Sequence, residues 1–91
     1  MIKDRYYPSA FRKDYKRIKA QGKDVQKLAE LMDRLQNEET LEPKYKDHEL
    51  KQNWKGYREC HVSPDWLLVY KIDRDTIFFV RTGSHSDIFE S

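Results

Sequence analysis

Ninety-one residues is the length of one small domain, enough for a single core and too short for two, so a single unit over 1–91 is expected. With 37% hydrophobic, 37% charged and 13% aromatic residues, the chain has more large apolar side chains than a disordered segment would. Net charge is only +2, which excludes a uniformly basic or acidic polyelectrolyte.

The signs nevertheless fall in blocks. Residues 1–24 hold eight basic and three acidic groups, residues 25–42 two and five, residues 43–58 five and two, and the remainder three and six. Two basic zones are thus available to a polyanion, although a solvated surface that keeps the protein soluble accounts equally well for charge alone. Cys60 is the lone cysteine and cannot form an internal disulfide. No apolar stretch of signal-peptide or membrane-spanning length follows Met1, so a reducing cytoplasm and no membrane contact are expected.

In chain order, a short strand is predicted around Ile2 to Tyr7, followed by a helix with Ser9 as its N-cap. Phe11, Tyr15 and Ile18 recur at helical spacing, Lys19 suits the helix dipole and Gly22 is a natural stop. Asp24 can cap a second helix, in which Val25, Leu28, Leu31, Met32 and Leu35 make one apolar stripe. The two helices read as an antiparallel hairpin. From Glu38 to Asn53 there is no clean periodicity, so a long irregular connection containing Pro43 and His48 is predicted.

Three strands are predicted beyond it, Gly56 to Val62, Trp66 to Ile72 and Thr76 to Thr82, with short links that favour antiparallel pairing. In the first, burying Cys60 and Val62 points His61 to the opposite face. The run Trp66 to Tyr70 is apolar on both sides, as a central strand covered on both faces would be. The predicted fold is therefore α+β, a two-helix hairpin on a twisted, mainly antiparallel sheet.

All three histidines, His48, His61 and His85, fall in the second half, interleaved with Pro64-Asp65-Trp66 and with Arg81 at a strand end. Imidazoles exchange protons near neutrality, and a guanidinium can hold developing anionic charge, so the cluster points to acid–base chemistry on an anion. Each residue also has a plainer reading: Arg81 as an edge arginine paired to a carboxylate, His85 as a surface histidine, Asp65 as a turn cap. A zinc site from His48, Cys60, His61 and His85 is disfavoured, because Cys60 and His61 point to opposite faces of a strand and no paired ligand spacing exists. Neither a GxSxG elbow nor a glycine-rich phosphate loop is present. Tyr6, Tyr7, Tyr57, Trp54 and Trp66 could stack on unpaired bases, although most read more simply as packing; Trp54, flanked by Lys51, Lys55 and Arg58, is the best placed.

Taken as one string, Lys46-Asp47-His48-x-Leu50, Trp54-Lys55-Gly56-Tyr57-Arg58, His61-Val62-x-Pro64-Asp65-Trp66-Leu67-Leu68-Val69-Tyr70, and Arg81-Thr82-Gly83-Ser84-His85 with Phe89 resemble the YafQ branch of the RelE/ParE toxin superfamily. The resemblance implies a monomeric toxin from a type II toxin–antitoxin operon, a ribosome-dependent endoribonuclease that cuts mRNA in the A site of the 70S ribosome. It implies no metal or other cofactor, and a cognate antitoxin that silences the enzyme by wrapping around it.

By position, the resemblance assigns the active site to His48, His61, Asp65, Arg81 and His85, with Trp66 and Phe89 beside the cleft. His85 and Asp65 are then expected to move protons, His85 favoured as the acid, with the division between acid and base left open. Arg81 is expected to neutralise the phosphorane, and His48 and His61 to position the phosphate or share the proton transfer. Lys16, Arg17, Trp54, Lys55 and Arg58 are expected on the surface that meets message or ribosomal RNA. Two rivals share the fold: a ParE-like toxin that binds DNA gyrase without cutting RNA, and an inert binding module. One departure concerns Gln52, where relatives often have glycine, so a turn relying on positive φ between His48 and Trp54 would have to adjust.

Overall fold

The structure, a computed structural model, describes residues 1–89. Five strands form one sheet: β1 (Asp4–Tyr6), β2 (His48–Glu49), β3 (Arg58–Ser63), β4 (Trp66–Asp73) and β5 (Thr76–Gly83), in the order β1-β5-β4-β3-β2. β1 runs parallel to β5 and the other neighbours pair antiparallel, giving a mixed sheet. Helices α1 (Ser9–Ala20) and α2 (Val25–Gln36) precede β2, and a short α3 (His85–Phe89) follows β5. No helix among the described residues is long and apolar enough to cross a membrane.

The helices form where the apolar spacing places them. Phe11 and Ile18 of α1 and Leu28, Leu31, Met32 and Leu35 of α2 are buried, and they meet Cys60, Val62, Trp66, Leu68, Tyr70, Ile77 and Phe79 of the sheet in one core. Each such aliphatic or aromatic side chain contributes about 1.5–3 kcal/mol on burial. Asp24 caps α2 as expected, its Oδ1 accepting from the Gln26 and Lys27 N–H groups at 3.1 and 3.2 Å. α1 differs: Pro8 occupies the N-cap without a side-chain bond, and Ser9 is already helical. An extended Pro8 fixes the chain direction by its own φ, so the serine hydroxyl is not needed there.

The connection is more ordered than its aperiodic sequence suggests. It holds two 3₁₀ turns, Pro43–Tyr45 and Gln52–Trp54, and between them the two-residue strand β2, so His48 lies on a sheet edge and not in a loop. Its register is His48 opposite Glu59 and Glu49 opposite Arg58. Asp47 secures this segment, its Oδ1 accepting from the Tyr70 hydroxyl at 2.6 Å and from Arg58 Nε at 3.3 Å. Gln52 makes the turn by adopting the left-handed φ of 56° itself, and its backbone carries the strain that a glycine would avoid.

Two irregularities set the site. The β3–β4 register shifts between His61 and Ser63, and the β4–β5 register shifts so that Val69 opposes Arg81 while Tyr70 opposes Phe79. Val80 is the extra residue in the second bulge, which re-aims Arg81. On the face away from α1 and α2, Leu67, Val69 and Ile88 form a small second core against which Leu50, Trp54, Tyr57, Val80 and Phe89 pack.

Candidate active site

Cross-strand partners share a face, so the register places His48 with Glu59 and Val69, and His61 with Leu67, on the side of the smaller core. α3 reaches the same side through Ile88, which packs on Leu67 and Val69. A cleft of about 230 Å³ opens there, lined by Leu50, Lys51, Trp54, Glu59, His85 and Phe89. The His85 and Phe89 rings lie 5.0 Å apart, and Trp54 stands edge-on to both Phe89 (5.4 Å) and Tyr57 (5.3 Å). Trp54 is thus braced by its neighbours, and Phe89 belongs to the cleft wall.

α3 and its histidine are held by a reciprocal cap. Ser84 Oγ accepts from the Asp87 N–H at 3.1 Å, and Asp87 Oδ2 accepts from the Ser84 N–H at 3.0 Å. That backbone bond, helped by Arg17 and Arg81, holds the Asp87 carboxyl below its ordinary range. Gly83 is required at the junction: its φ is +149°, and a Cβ there would fall 2.7 Å from Arg17 Nη2 and 3.0 Å from Asp87 Oδ2.

His48 and His61 are tethered differently. His48 Nδ1 donates to the Lys46 carbonyl at 2.6 Å, and its Nε2 lies 3.1 Å from Glu59 Oε2. His61 Nδ1 donates to the Pro64 carbonyl at 3.2 Å, which leaves its Nε2 lone pair as the proton acceptor of the neutral ring. Because β2 pairs only as far as Glu59, the β3 edge beyond it faces residues 44–46, and His61 lines a recess of about 340 Å³ with Lys27, Lys44 and Lys46. Three ammonium groups around an imidazole suit a phosphate.

Arg81 answers to its plainer reading. Its Nε donates to Asp14 Oδ2 at 2.6 Å, and its Nη2 to Asp14 Oδ1 at 3.2 Å and to the Asp87 carbonyl at 3.3 Å. The Asp14 bond raises the guanidinium pKa further above its ordinary value. A two-pronged phosphate clamp is therefore not available; only Nη1 is without a partner among the described residues. Asp14, 2% exposed, also accepts from the Thr82 N–H at 3.1 Å and pairs with Arg17 Nη1 at 3.0 Å.

The structure thus brings His85, Trp54 and Phe89 to one cleft, ties His48 to it through the cleft residue Glu59, sets His61 in a separate recess, and leaves Asp65 exposed in the β3–β4 turn. Trp66 is a correction: it is 3% exposed in the helix-side core, its Nε1–H donating to Thr82 Oγ1 at 2.9 Å, because the bulge at Val62 turns the start of β4 inward. Two of the expected RNA-facing cations are engaged internally, Arg17 with Asp14, Asp87 and the Thr82 carbonyl, and Arg58 with Asp47 and Glu49. Lys16 and Lys55 stay exposed.

Sequence reasoning missed Asp14 and Glu59. The signal for Asp14 was a charge lying between Phe11 and Ile18 on the buried stripe of α1. Glu59 sat in plain alternation with His61, and only burial singles it out.

Fold and site together define a small α+β domain that presents histidines and a carboxylate around an anion-sized cleft. Residues 3–90 match the family described as bacterial toxin of type II toxin-antitoxin system, YafQ. The chain is 44% identical over 88 residues to the mRNA interferase toxin YafQ of Escherichia coli BL21-DE3, covering 96% of each. Among solved structures it resembles the E. coli DinJ-YafQ complex (42% identity, TM-score 0.88, 98% of this chain and 99% of that one) and a metal-bound toxin from Helicobacter pylori (44%, 0.89, 98% and 100%). The chain belongs to the YafQ family of type II toxins.

Proposed function

We propose that this chain is an mRNA endoribonuclease that acts on ribosome-bound message, breaks the chain by transesterification, and is silenced by a cognate antitoxin. The attacking 2'-hydroxyl closes on the neighbouring phosphorus and loses its proton, while the departing 5'-oxygen gains one. Products with a 2',3'-cyclic phosphate and a free 5'-hydroxyl follow.

The observation that carries this reading is the cleft lined by His85, Phe89 and Glu59, with His48 held on Glu59 and the lysine-rimmed His61 on the same face of the sheet. His85 acts as the acid that protonates the leaving oxygen. His61, with its Nδ1 held by Pro64, offers Nε2 to the 2'-hydroxyl proton, a role that Asp65 on the adjoining turn can share. Arg81 steadies the phosphorane through Nη1 alone. His48, its ring nitrogens held by the Lys46 carbonyl and Glu59, positions the phosphate from the sheet edge without bonding it directly, and Phe89 and Trp54 wall the bases.

The proposed proton transfers run through these side chains. Lys16 and Lys55 form part of the surface that meets ribosomal RNA, so binding should weaken as salt rises.

The test is to express the chain in bacteria, map cuts in a translated message, and repeat with translation blocked. Cleavage should require translation, and His85→Ala should lower it by roughly a hundredfold to ten-thousandfold with the fold intact. Unimpaired growth arrest and message cleavage by His85→Ala would refute the assignment.

A further inference from the structure

Glu59 is buried at 8% exposure on the cleft face of β3, with an incomplete set of partners. Its Oε2 meets His48 Nε2 at 3.1 Å, whereas its Oε1 is shielded from solvent and bonded by no described group. Asp14, the other buried carboxylate, makes the contrast: both of its oxygens are satisfied, by donors from Arg17, Arg81 and Thr82. An anchoring carboxylate resembles Asp14. A buried carboxylate with one oxygen unmatched carries a desolvation cost that packing does not offset.

The ring contacts of His48 say what Glu59 does. The Lys46 carbonyl can only accept, so Nδ1 carries a hydrogen, and the contact between Nε2 and Oε2 becomes a hydrogen bond when a second proton is shared between imidazole and carboxylate. Around this pair stand His85 from α3, Lys51 from the segment before the second 3₁₀ turn, His61 two residues along β3, and Arg81 across β4, itself held by Asp14.

We propose that Glu59 is a positioning residue of the nuclease site: through the shared proton it fixes the orientation of the His48 ring and its charge at the mouth of the His85 cleft. The proposal rests on the nuclease reading above and extends it to a residue that the family resemblance did not assign.

The test is single-turnover cleavage of ribosome-bound message by the full chain across the pH range in which histidine titrates. Glu59→Gln keeps the side chain's shape and removes its charge. It should slow cleavage by about tenfold to a hundredfold and displace the pH profile, while antitoxin binding, ribosome binding and melting temperature stay near the parent values. Glu59→Asp should recover part of the rate. In a His48→Ala background, Glu59→Gln should add nothing, because the ring it holds is gone.

Parental rate and pH profile in Glu59→Gln would overturn the proposal, as would effects of the two substitutions that multiply independently. A rate loss in both Glu59 variants that merely tracks loss of folded protein would overturn it too, making the residue structural. If neither His48→Ala nor His85→Ala slows cleavage, the nuclease reading fails and takes this inference with it. If both slow it and Glu59→Gln does not, only the role given to Glu59 fails.

Discussion

Replacing Asp14 by Asn tests whether one buried carboxylate joins α1, β5 and the arginine of the site. Its two oxygens accept from Arg81 Nε and Nη2, the Thr82 N–H and Arg17 Nη1, at 2.6 to 3.2 Å. Asparagine fills the same space but presents an NH₂ to one side of this donor set and removes the charge facing two guanidinium groups. Breaking a buried ion pair costs about 3–5 kcal/mol, and the partial exposure of both arginines lowers the expectation to about 2–3 kcal/mol. That is a large share of a total stability of about 5–15 kcal/mol. For a domain of this size it corresponds to a fall in melting temperature of roughly 10–20 °C. Thermal and urea unfolding followed by circular dichroism measure it, with Arg81→Leu and the double variant completing a cycle. The double variant should be less destabilised than the two single losses combined, since it removes the stranded charge. A melting temperature for Asp14→Asn within about 2 °C of the parent, less than about 0.5 kcal/mol, would refute the reasoning.

Gln52→Gly should raise stability by about 0.5–1 kcal/mol, because glycine removes the left-handed strain at φ 56° and gives back only part of it as chain entropy; a lower melting temperature would contradict this. Cys60 is fully buried and its thiol pKa is pushed up to about 12, chiefly by burial, so a thiol reagent at neutral pH should label the protein only as fast as it unfolds. The Asp87 carboxyl is held below its ordinary value by the Ser84 N–H first of all, so its contribution to stability is present above about pH 4 and is lost as acid takes pH down through the folded-state pKa. Asp87→Asn should flatten that acid limb, and an unchanged limb in acid titration of stability would count against the cap. Message cleavage should be unaffected when the toxin itself is treated with a chelator, a result measured against ribosomes kept in their own magnesium.

Legibility in the sequence followed the range of the interaction. The 3.6-residue stripe from Val25 to Leu35 and the alternation from Arg58 to Val62 are local signals, and both elements formed where they pointed. β2 and α3 have no such signal. A two-residue strand exists because Asp47 is held by Tyr70 and Arg58, and a five-residue helix exists because Ser84 and Asp87 cap each other over Leu67 and Val69. The Ser84-x-x-Asp87 spacing is the one local clue that could have revealed α3.

The same distinction governs the site. His48, His61 and His85 could be picked out by chemistry, because imidazole is rare and its spacing follows the strands. What each ring can do is decided by carbonyls and carboxylates distant in sequence or invisible to pattern: Lys46 and Glu59 for His48, Pro64 for His61, Asp14 for Arg81. Arg81 shows the consequence most directly. A strand-end arginine before Thr82-Gly83-Ser84-His85 reads as a phosphate fork, yet the fork is closed on a helix residue 67 positions away, and only Nη1 is left without a partner among the described residues. In the proposed mechanism a single fixed Nη1 trades contact number for orientation, since a guanidinium already locked by Asp14 loses no rotamer freedom when the charge develops. On that argument Arg81→Lys, which cannot keep the two-point bond to Asp14 and still face outward, should behave as a loss of the group despite the retained charge.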